Sequence, residues 1–366
     1  RAQNMVAWAS AAGWFPGHMA KATRQVAERL AKVDFVIEVR DARVPLSSAA
    51  AHLEQLLRDT GRADRKLIAV NKADLVTPEH GKAIASRLGS RARLISTRSG
   101  VGVLDLLEDA LRAITGRSPR LAPLPRAAAS ASDSGASSHG SGRAARLSGG
   151  SPPRFSGGGG ALPLILMVVG APNTGKSSLI NALRRAHAEK GGARDRRRRS
   201  RRPARTGPTP GVTRSLSGFQ VSWDPAVWLL DTPGVLQPRL EAGWLTALRL
   251  GASGLLADRG DDEALASFLL YQLAVSRSDS LHQWPRAARL ADAAAPLRAT
   301  DLSLLSDEES RRVCEALGAD LLAAVAEDLG SRRRGAPDTH TASGRVLRLQ
   351  REGGLGRLLL EPLDGS

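Results

Sequence analysis

The chain is short of cysteine and of long apolar runs. Cys314 is its one cysteine. A single cysteine excludes an internal disulfide framework and is typical of a protein in a reducing compartment. The longest apolar run, residues 161–169, is far shorter than the about 20 residues that an α-helix needs to cross a bilayer. The sequence therefore predicts a buried strand there and no transmembrane segment, and it leaves a peripheral membrane contact open.

Acidic residues are too few to balance the basic ones. Asp and Glu number 36 against 53 Lys and Arg, which gives a net charge of +17 at pH 7. Such an excess predicts a polyanionic partner. Almost all of the basic residues are arginines. An arginine bias fits bidentate phosphate recognition and fits a GC-rich genome equally well, and the charge acts on a partner under either interpretation.

Three loop motifs follow apolar runs and together predict a guanine-nucleotide site. Residues 164–169 lead into a G-x-x-x-x-G-K-S loop at 170–177, whose backbone N–H groups can surround phosphates at the start of a helix. Residues 66–70 lead into an N-K-x-D tetrad at 71–74, and a D-T-P-G motif at 231–234 follows the run 227–230. Each motif alone occurs by chance, but three in the same strand-then-loop context predict GTP binding.

The order of the motifs is inverted. Ordinary GTPases carry the phosphate loop before the guanine-reading tetrad, whereas here the tetrad comes first. Helices predicted at 48–58, 78–88 and 101–114 alternate with the predicted strands. This alternation predicts an α/β fold with a doubly wound, mostly parallel sheet. The sequence therefore predicts a circularly permuted P-loop GTPase domain, followed by a small all-helical domain.

The chemistry of each motif assigns roles to its residues. The Asp74 carboxylate can accept hydrogen bonds from the N1–H and exocyclic amine of guanine, Asn71 can brace the loop, and the Lys72 stem can cover the base. Lys176 can reach the outer phosphates, and Ser177 can ligate Mg²⁺. Asp231 would hold Mg²⁺ through water, and the Gly234 N–H would meet the γ-phosphate. The predicted GTP contacts are Asn71, Lys72, Ala73, Asp74, Ser96, Thr97, Asn173, Thr174, Gly175, Lys176, Ser177, Ser178 and Gly234.

Composition divides the chain into two domains with two insertions. We predict a GTPase domain over residues 1–237 and a helical domain that binds RNA or the ribosome over 238–366, with helices at 244–256, 261–275 and 306–329. Residues 118–160 are rich in Ser, Gly, Pro, Ala and Arg and predict a flexible insertion at the permutation junction. A second flexible insertion, 189–206, has a run of arginines that favours binding to RNA phosphates over a tolerated solvated loop.

With these residues in view, the chain resembles the circularly permuted ribosome-assembly GTPases, most closely the mitochondrial ribosome-associated GTPase 1 branch. Besides the nucleotide motifs, the resemblance rests on residues 13–22 (GWFPGHMAKA), 41–45 (DARVP), 210–213 (PGVT), 264–273 (ALASFLLYQL) and 351–357 (REGGLGR). Two positions depart from the family: Thr97 stands where alanine is frequent, and Thr174 replaces the usual valine. Both are backbone-contact positions that should tolerate the change.

The resemblance implies how hydrolysis would be achieved. Val235 stands where signalling GTPases have a glutamine that orients water, and a valine cannot do so. In the family the histidine of W-F-P-G-H-M is implicated, which is His18 here; the alternative is an ordered turn that packs or binds RNA. Thr213 is implied as the switch threonine that ligates Mg²⁺. Asn173 would hold K⁺ beside the phosphates, or would brace the loop.

The resemblance also implies partners and location. We expect a GTPase that binds the large ribosomal subunit of an organelle and drives a late step of its assembly, with hydrolysis coupled to release. The partners would be large-subunit rRNA, ribosomal proteins and GTP or GDP. A GTP-binding rRNA scaffold with negligible turnover is the alternative, and the charge argues against a signalling GTPase. The mitochondrion is expected, in the matrix with or without inner-membrane contact, and the plastid is the alternative. Residues 1–27 contain no acidic residue, which is compatible with a transit-peptide remnant.

Overall fold

Six strands form one sheet in a computed structural model of the chain. The structure describes residues 28, 30, 33–50, 52–116, 163–190, 217–223, 226–231, 243–256, 261–276, 278–294, 307–361 and 363. The strands are β1 Phe35–Asp41, β2 Lys66–Asn71, β3 Ala92–Leu94, β4 Leu164–Val169, β5 Ser217–Trp223 and β6 Ala226–Asp231. Their order across the sheet is β3-β2-β1-β4-β6-β5, and all neighbours are parallel except β5 and β6. The predicted mostly parallel sheet is confirmed.

The sheet shows the circular permutation directly. β1 pairs with β2 on one side and with β4 on the other, so the strand before the tetrad and the strand before the phosphate loop are separated by β1 alone. Reading the chain from β4 through β6 and then from β1 gives phosphate loop, Asp231 and tetrad, which is the order in ordinary GTPases. The permuted chain therefore closes the same sheet from a different starting point.

Helices cover both faces of this sheet. They are α1 Leu53–Asp59, α2 Pro78–Leu88, α3 Val103–Thr115 and α4 Lys176–Lys190. Successive strand residues point to opposite faces. On one face Ile37 and Val168 pack with residues of α3 and α4, and on the other Val36 and Met167 pack with residues of α1. The doubly wound α/β class predicted from the sequence is thus confirmed.

Helix α1 begins later than the sequence pattern predicts. Apolar spacing favoured a helix over 48–58, whereas the helix begins at Leu53. The Ser48 hydroxyl accepts the N–H of Asp41 at 3.0 Å, and the N–H of Ala50 donates to a carboxylate oxygen of Glu38 at 2.9 Å. These bonds to β1 fix the preceding residues as turns, so the helix forms only after them.

The second half of the described chain is mainly helical. It contains α5 Trp244–Ala252, α6 Asp262–Val275, α7 Pro285–Ala293, α8 Asp307–Asp328 and α9 Thr339–Glu352, with a short hairpin of β7 Arg332–Arg333 and β8 Ala336–Pro337. Helix α6 is buried on nearly every side, among α5, α8 and α9. Its Asp261 cap accepts the N–H groups of Glu263 and Ala264, as its predicted start requires. Within the described residues, no helix has both the length and the apolarity needed to cross a membrane.

The end of the chain returns to the α/β part. The N–H of Leu358 donates to the Leu75 carbonyl at 3.0 Å, and the N–H of Leu360 donates to the Arg43 carbonyl at 2.9 Å. Leu363 is buried in a cluster with Val76 and other residues around α2. The final residues of the proposed helical domain therefore complete the core of the GTPase part.

Charged side chains of β1 and β2 form a buried ionic network. The Glu38 carboxylate is 1% exposed and accepts bonds from the Arg40 guanidinium at 2.9 Å and the Lys66 ammonium at 3.0 Å. Burial by itself raises the pKa of Glu38, but the charges of Arg40 and Lys66 outweigh burial and hold the pKa at about 2. The ionised form of Glu38 is therefore favoured by folding.

Acid should remove this contribution to stability. A carboxylate whose folded pKa is lowered stabilises the fold above its ordinary pKa of 4.5, and the effect is lost as the pH falls towards 2. We expect the unfolding free energy of wild type to lose about 3 kcal/mol more than that of Glu38→Gln between pH 5 and pH 2. Thermal unfolding of both proteins across this range measures the difference. Glu54→Gln is the control, because Glu54 contacts the same Lys66 but its side chain is 40% exposed. Equal acid sensitivity of wild type and Glu38→Gln would contradict the assignment.

Candidate nucleotide-binding site

The predicted nucleotide loops meet at one edge of the sheet. The tetrad follows β2, residues 96–97 follow β3, and the phosphate loop follows β4. Because parallel strands present their carboxyl ends at the same edge, all three loops lie together there. Asp231 closes β6, and its backbone is in register with Val168 of β4, one residue before that strand ends.

Asn71 joins these loops through its side-chain amide. Its Nδ2 donates to the Thr174 carbonyl of the phosphate loop at 2.9 Å, and its Oδ1 accepts the N–H of Thr97 at 3.1 Å. The side chain is almost completely buried. A single amide thus fixes the tetrad against two other loops. The Thr97 N–H, at a position predicted to contact GTP through its backbone, is bonded to Asn71 in this structure.

The phosphate loop can take this shape only with glycine at position 175. Gly175 has φ +100°, and a Cβ there would lie 2.2 Å from Asn71 Nδ2. Either feature excludes a side chain. The close approach of the two loops therefore depends on the glycine.

Side chains within the phosphate loop hold its backbone. The Thr174 hydroxyl and the Lys176 ammonium both donate to the Ala171 carbonyl, at 2.9 and 2.7 Å. The threonine that replaces the usual valine thus has its hydroxyl satisfied while buried. Helix α4 begins at Lys176, and the N–H groups at a helix N-terminus attract anions. The loop is therefore chemically suited to phosphate groups.

The tetrad lysine is fixed by a residue of β1. Lys72 has φ +64° and lies at the start of a 3₁₀ turn, Ala73–Leu75. Its ammonium is 2.7 Å from a carboxylate oxygen of Asp41, and its side chain is 25% exposed. Burial lowers the pKa of Lys72, and the charge of Asp41 partly offsets this. The pKa of Asp41 would be raised by burial, but the charges of Arg43 and Lys72 lower it strongly. Both groups are thus held as an ion pair.

Asp41 and Arg43 were not predicted as site residues. They entered the sequence analysis only through the string DARVP, on which the family resemblance partly rests. Their position at the end of a buried strand, next to the strand that carries the tetrad, is the signal that would have found them.

Asn173 faces the helical part of the chain. Its Nδ2 donates to the Gly254 carbonyl, in the turn after α5, at 2.7 Å. Its φ of +58° is one that asparagine tolerates better than most residues. The phosphate loop is thereby bonded to a segment 81 positions away in sequence. Nothing in the sequence pattern indicated this contact.

Some of the other predicted site residues lie in the part of the chain that the structure describes, and some do not. Asp74 is half-buried in the 3₁₀ turn, and the buried Ser96 accepts the N–H of Ser99 at its hydroxyl. Ser177 and Ser178 are half-buried in the first turn of α4. His18, Thr213, Gly234 and the insertion 118–160 lie outside the described residues, as does the side chain of Asp231. Of the second predicted insertion, 189–206, residues 191–206 also lie outside them, and its predicted start is wrong because Glu189 and Lys190 are the last residues of helix α4.

Comparison with known proteins places these loops among GTPases. A family model described as 50S ribosome-binding GTPase matches residues 165–250. Mitochondrial ribosome-associated GTPase 1 of Xenopus tropicalis is 35% identical over 268 residues, which are 72% of this chain and 70% of that protein. The protein of the same name from Mus musculus is 35% identical over 265 residues, 72% of this chain and 67% of that one.

Two further relatives and one solved structure are similar to much of the chain. Short integuments 2, mitochondrial, of Arabidopsis thaliana is 33% identical over 280 residues; these are 74% of this chain and only 58% of the plant protein. Ribosome biogenesis GTPase A of Bacillus pumilus is 29% identical over 248 residues, 67% of this chain and 68% of that protein. The crystal structure of GNP-bound YlqF from T. maritima aligns with 94% of this chain and 99% of its own at a TM-score of 0.49 and 19% identity.

Proposed function

The chain belongs to the family of circularly permuted GTPases that includes mitochondrial ribosome-associated GTPase 1, and we propose that it binds the large subunit of the mitochondrial ribosome during a late assembly step. GTP hydrolysis would be coupled to its release. The observation that carries the proposal is the bond from Asn71 to the phosphate loop, because it brings a guanine-reading tetrad and a phosphate-binding loop into one site despite their inverted order. This role rests on the relatives' names together with the site and the charge of the chain.

GTP would be bound by the loops at the sheet edge. Asp74 would read the base, and the N–H groups at the start of α4, with Lys176, would hold the phosphates. Mg²⁺ would be held by Ser177, Thr213 and Asp231, whose oxygen donors suit this hard cation. It would neutralise charge on the β- and γ-phosphates. K⁺ at Asn173 is a further proposal, and the bond to Gly254 supports the alternative, a bracing role for this residue.

Replacement of the base reader should change nucleotide preference. Asp74→Asn should weaken GTP binding and favour XTP, because an amide can donate to the 2-oxo group of xanthine. Titration with fluorescent GTP and XTP analogues measures both affinities. Asp64→Asn is the matched control, since Asp64 is an exposed aspartate paired with Arg91 away from the tetrad. Unchanged GTP affinity in Asp74→Asn, with no gain for XTP, would exclude Asp74 as the base reader.

Hydrolysis requires a group other than Val235, and we propose His18. An imidazole is chemically suited to orient or deprotonate water near neutral pH. His18→Ala should leave GTP affinity within a few-fold and slow turnover stimulated by large subunits by roughly 10²-fold, the scale of a positioned general base. His282→Ala, at an exposed histidine of the helical part, is the control.

The same assay separates the alternatives. Equal turnover in His18→Ala and wild type would leave the packing role for His18. If wild type binds GTP and the large subunit but shows negligible turnover with it, the GTP-dependent rRNA scaffold is the better description.

The end of the helical part offers a basic surface for rRNA. Between residues 332 and 357 seven exposed arginines stand against two carboxylates. Three of these arginines, Arg345, Arg348 and Arg351, lie on the exposed side of α9, while Val346 and Leu347 are buried. Arginine is suited to phosphate groups because its planar fork can donate two hydrogen bonds at once. We propose that this face binds rRNA phosphates, and that the arginine-rich insertion 189–206 adds to it.

Removal of two of these charges should reduce the salt dependence of subunit binding. In the double variant Arg345→Gln and Arg348→Gln, the log–log slope of affinity against salt should fall by about 1.5 to 2, as for two lost phosphate contacts. Sedimentation with isolated mitochondrial large subunits at several salt concentrations measures the slope. Arg58→Gln with Arg87→Gln removes the same charge from α1 and α2 and should leave the slope nearly unchanged. An equal effect of both pairs would show that net charge matters and the α9 face does not.

The mitochondrial assignment follows the names of the relatives. The plastid stays the alternative, and peripheral contact with the inner membrane stays a prediction. Fractionation of cells that express the tagged protein distinguishes matrix, membrane and plastid pools.

A further inference from the structure

Arg43 occupies a junction between the nucleotide loops and the helical part. Its side chain is 2% exposed, and all three guanidinium nitrogens have oxygen partners. Nε and Nη2 donate to the two carboxylate oxygens of Asp41 at 3.0 and 2.8 Å. Nη2 also donates to the Ser253 carbonyl at 2.9 Å, and Nη1 lies 3.5 Å from the Gln350 carbonyl. One side chain therefore joins β1 to the ends of α5 and α9.

The Asp41 carboxylate binds both Arg43 and the tetrad lysine, Lys72. Asp41 Oδ2 lies 2.8 Å from Arg43 Nη2 and 2.7 Å from Lys72 Nζ. Asp41 itself is fully buried, so its charge requires both cationic partners. A displacement of Arg43 would move the carboxylate, and the carboxylate would move Lys72. Arg43 is thus two contacts away from the residue that is predicted to cover the base.

Neighbouring contacts tie the same helical segments to the other nucleotide loops. Gly254, next to Ser253, accepts the amide of Asn173 in the phosphate loop. Leu358 donates its N–H to the carbonyl of Leu75, the residue after Asp74, and Leu360 donates its N–H to the carbonyl of Arg43. The turn after α5 and the segment after α9 therefore contact base-side and phosphate-side loops together.

We propose that Arg43 is a positioning residue for guanine-nucleotide binding, which acts through Asp41 on Lys72 and whose own position is set by the carbonyls of the helical part. Nucleotide affinity then depends on whether the helical part is docked. A contact that draws the ends of α5 and α9 away from Arg43 weakens the hold on nucleotide, and bound nucleotide in turn favours docking, because coupling between two sites is reciprocal. This inference rests on the proposed function in one respect, that the site binds guanine nucleotides.

The arrangement demands arginine because it uses several donors in fixed directions. A guanidinium offers five N–H donors in a rigid plane, whereas an ammonium is a point charge with three. Arg43→Lys keeps the charge beside Asp41 but cannot span the carboxylate and the helical carbonyls together. Arg40→Lys is the matched control, because Arg40 is a buried arginine of β1 that pairs with Glu38 instead of Asp41.

Nucleotide titration of the full chain tests the proposal. Arg43→Lys should weaken binding of a fluorescent GDP and of a non-hydrolysable GTP analogue equally, by about tenfold, the scale of one lost hydrogen bond to a charged group. Arg40→Lys should lower the unfolding temperature by about as much as Arg43→Lys does. It should leave both nucleotide affinities within about twofold of wild type. Affinities of Arg43→Lys equal to those of wild type, or equal losses in both variants, would overturn the proposal. A wild type that binds no guanine nucleotide would instead overturn the proposed function.

Hydrogen exchange of the wild-type chain gives a second test that needs no substitution. Addition of GDP should slow exchange of the amides at 253–256 and 350–356 as well as those of the phosphate loop and tetrad. In Arg43→Lys saturated with GDP, the protection should persist in the nucleotide loops and be lost from the two helical segments. Protection of the nucleotide loops alone in wild type would show that the helical part does not respond to nucleotide, and the proposal would fail.

Discussion

The pairing of β1 with both β2 and β4 is the constraint on which the rest of the structure depends. It places the end of β1 between the tetrad and the phosphate loop, although the chain reaches these two loops in inverted order. Asp41 closes β1 in register with Asn71, the first residue of the tetrad. Once these strands pair, the loops must share one edge of the sheet. The inverted order of the motifs therefore does not prevent the tetrad and the phosphate loop from meeting at one edge of the sheet.

Polar side chains at that edge of the sheet fix the neighbouring loops to one another. Asn71 joins the tetrad to the phosphate loop, and Asp41 is held between two cations. Burial makes each of these contacts consequential, because an unpaired charge or amide away from water costs more than an exposed one. The same property limits the substitutions that the site tolerates, as the contact between Gly175 and Asn71 illustrates.

The helical part contributes to this edge with backbone atoms. Carbonyls of Ser253, Gly254 and Gln350 accept bonds from the side chains of the α/β part, and the final segment of the chain packs beside the tetrad. Helix α9, whose exposed side carries Arg345, Arg348 and Arg351, thus also contacts the α/β part through the Gln350 carbonyl.

The sequence by itself determined the class of fold, the nucleotide loops and the bounds of one helix. The helix Pro78–Leu88 has the bounds that the pattern predicts, because a proline after the Thr77 cap is a local signal. β4 ends at Val169, as the apolar run 161–169 predicts, but it begins at Leu164, three residues later than predicted. The phosphate loop and tetrad were equally readable, since their chemistry requires particular residues at short spacings. The known family motifs further allowed roles to be predicted for residues such as His18, which the structure leaves outside its described part.

Only the tertiary structure decided which loops touch the helical part. The start of α1 was misjudged because bonds from residues 48 and 50 to β1 override the apolar spacing. The partners of Arg43 and Asn173 in the helical part could not be predicted for a different reason: they are backbone carbonyls more than 80 positions away. Every residue has a carbonyl, so no pattern of side chains marks the ones that will be used. The local motifs therefore predicted the ligand, a guanine nucleotide, whereas long-range packing determined which helical segments contact the nucleotide loops.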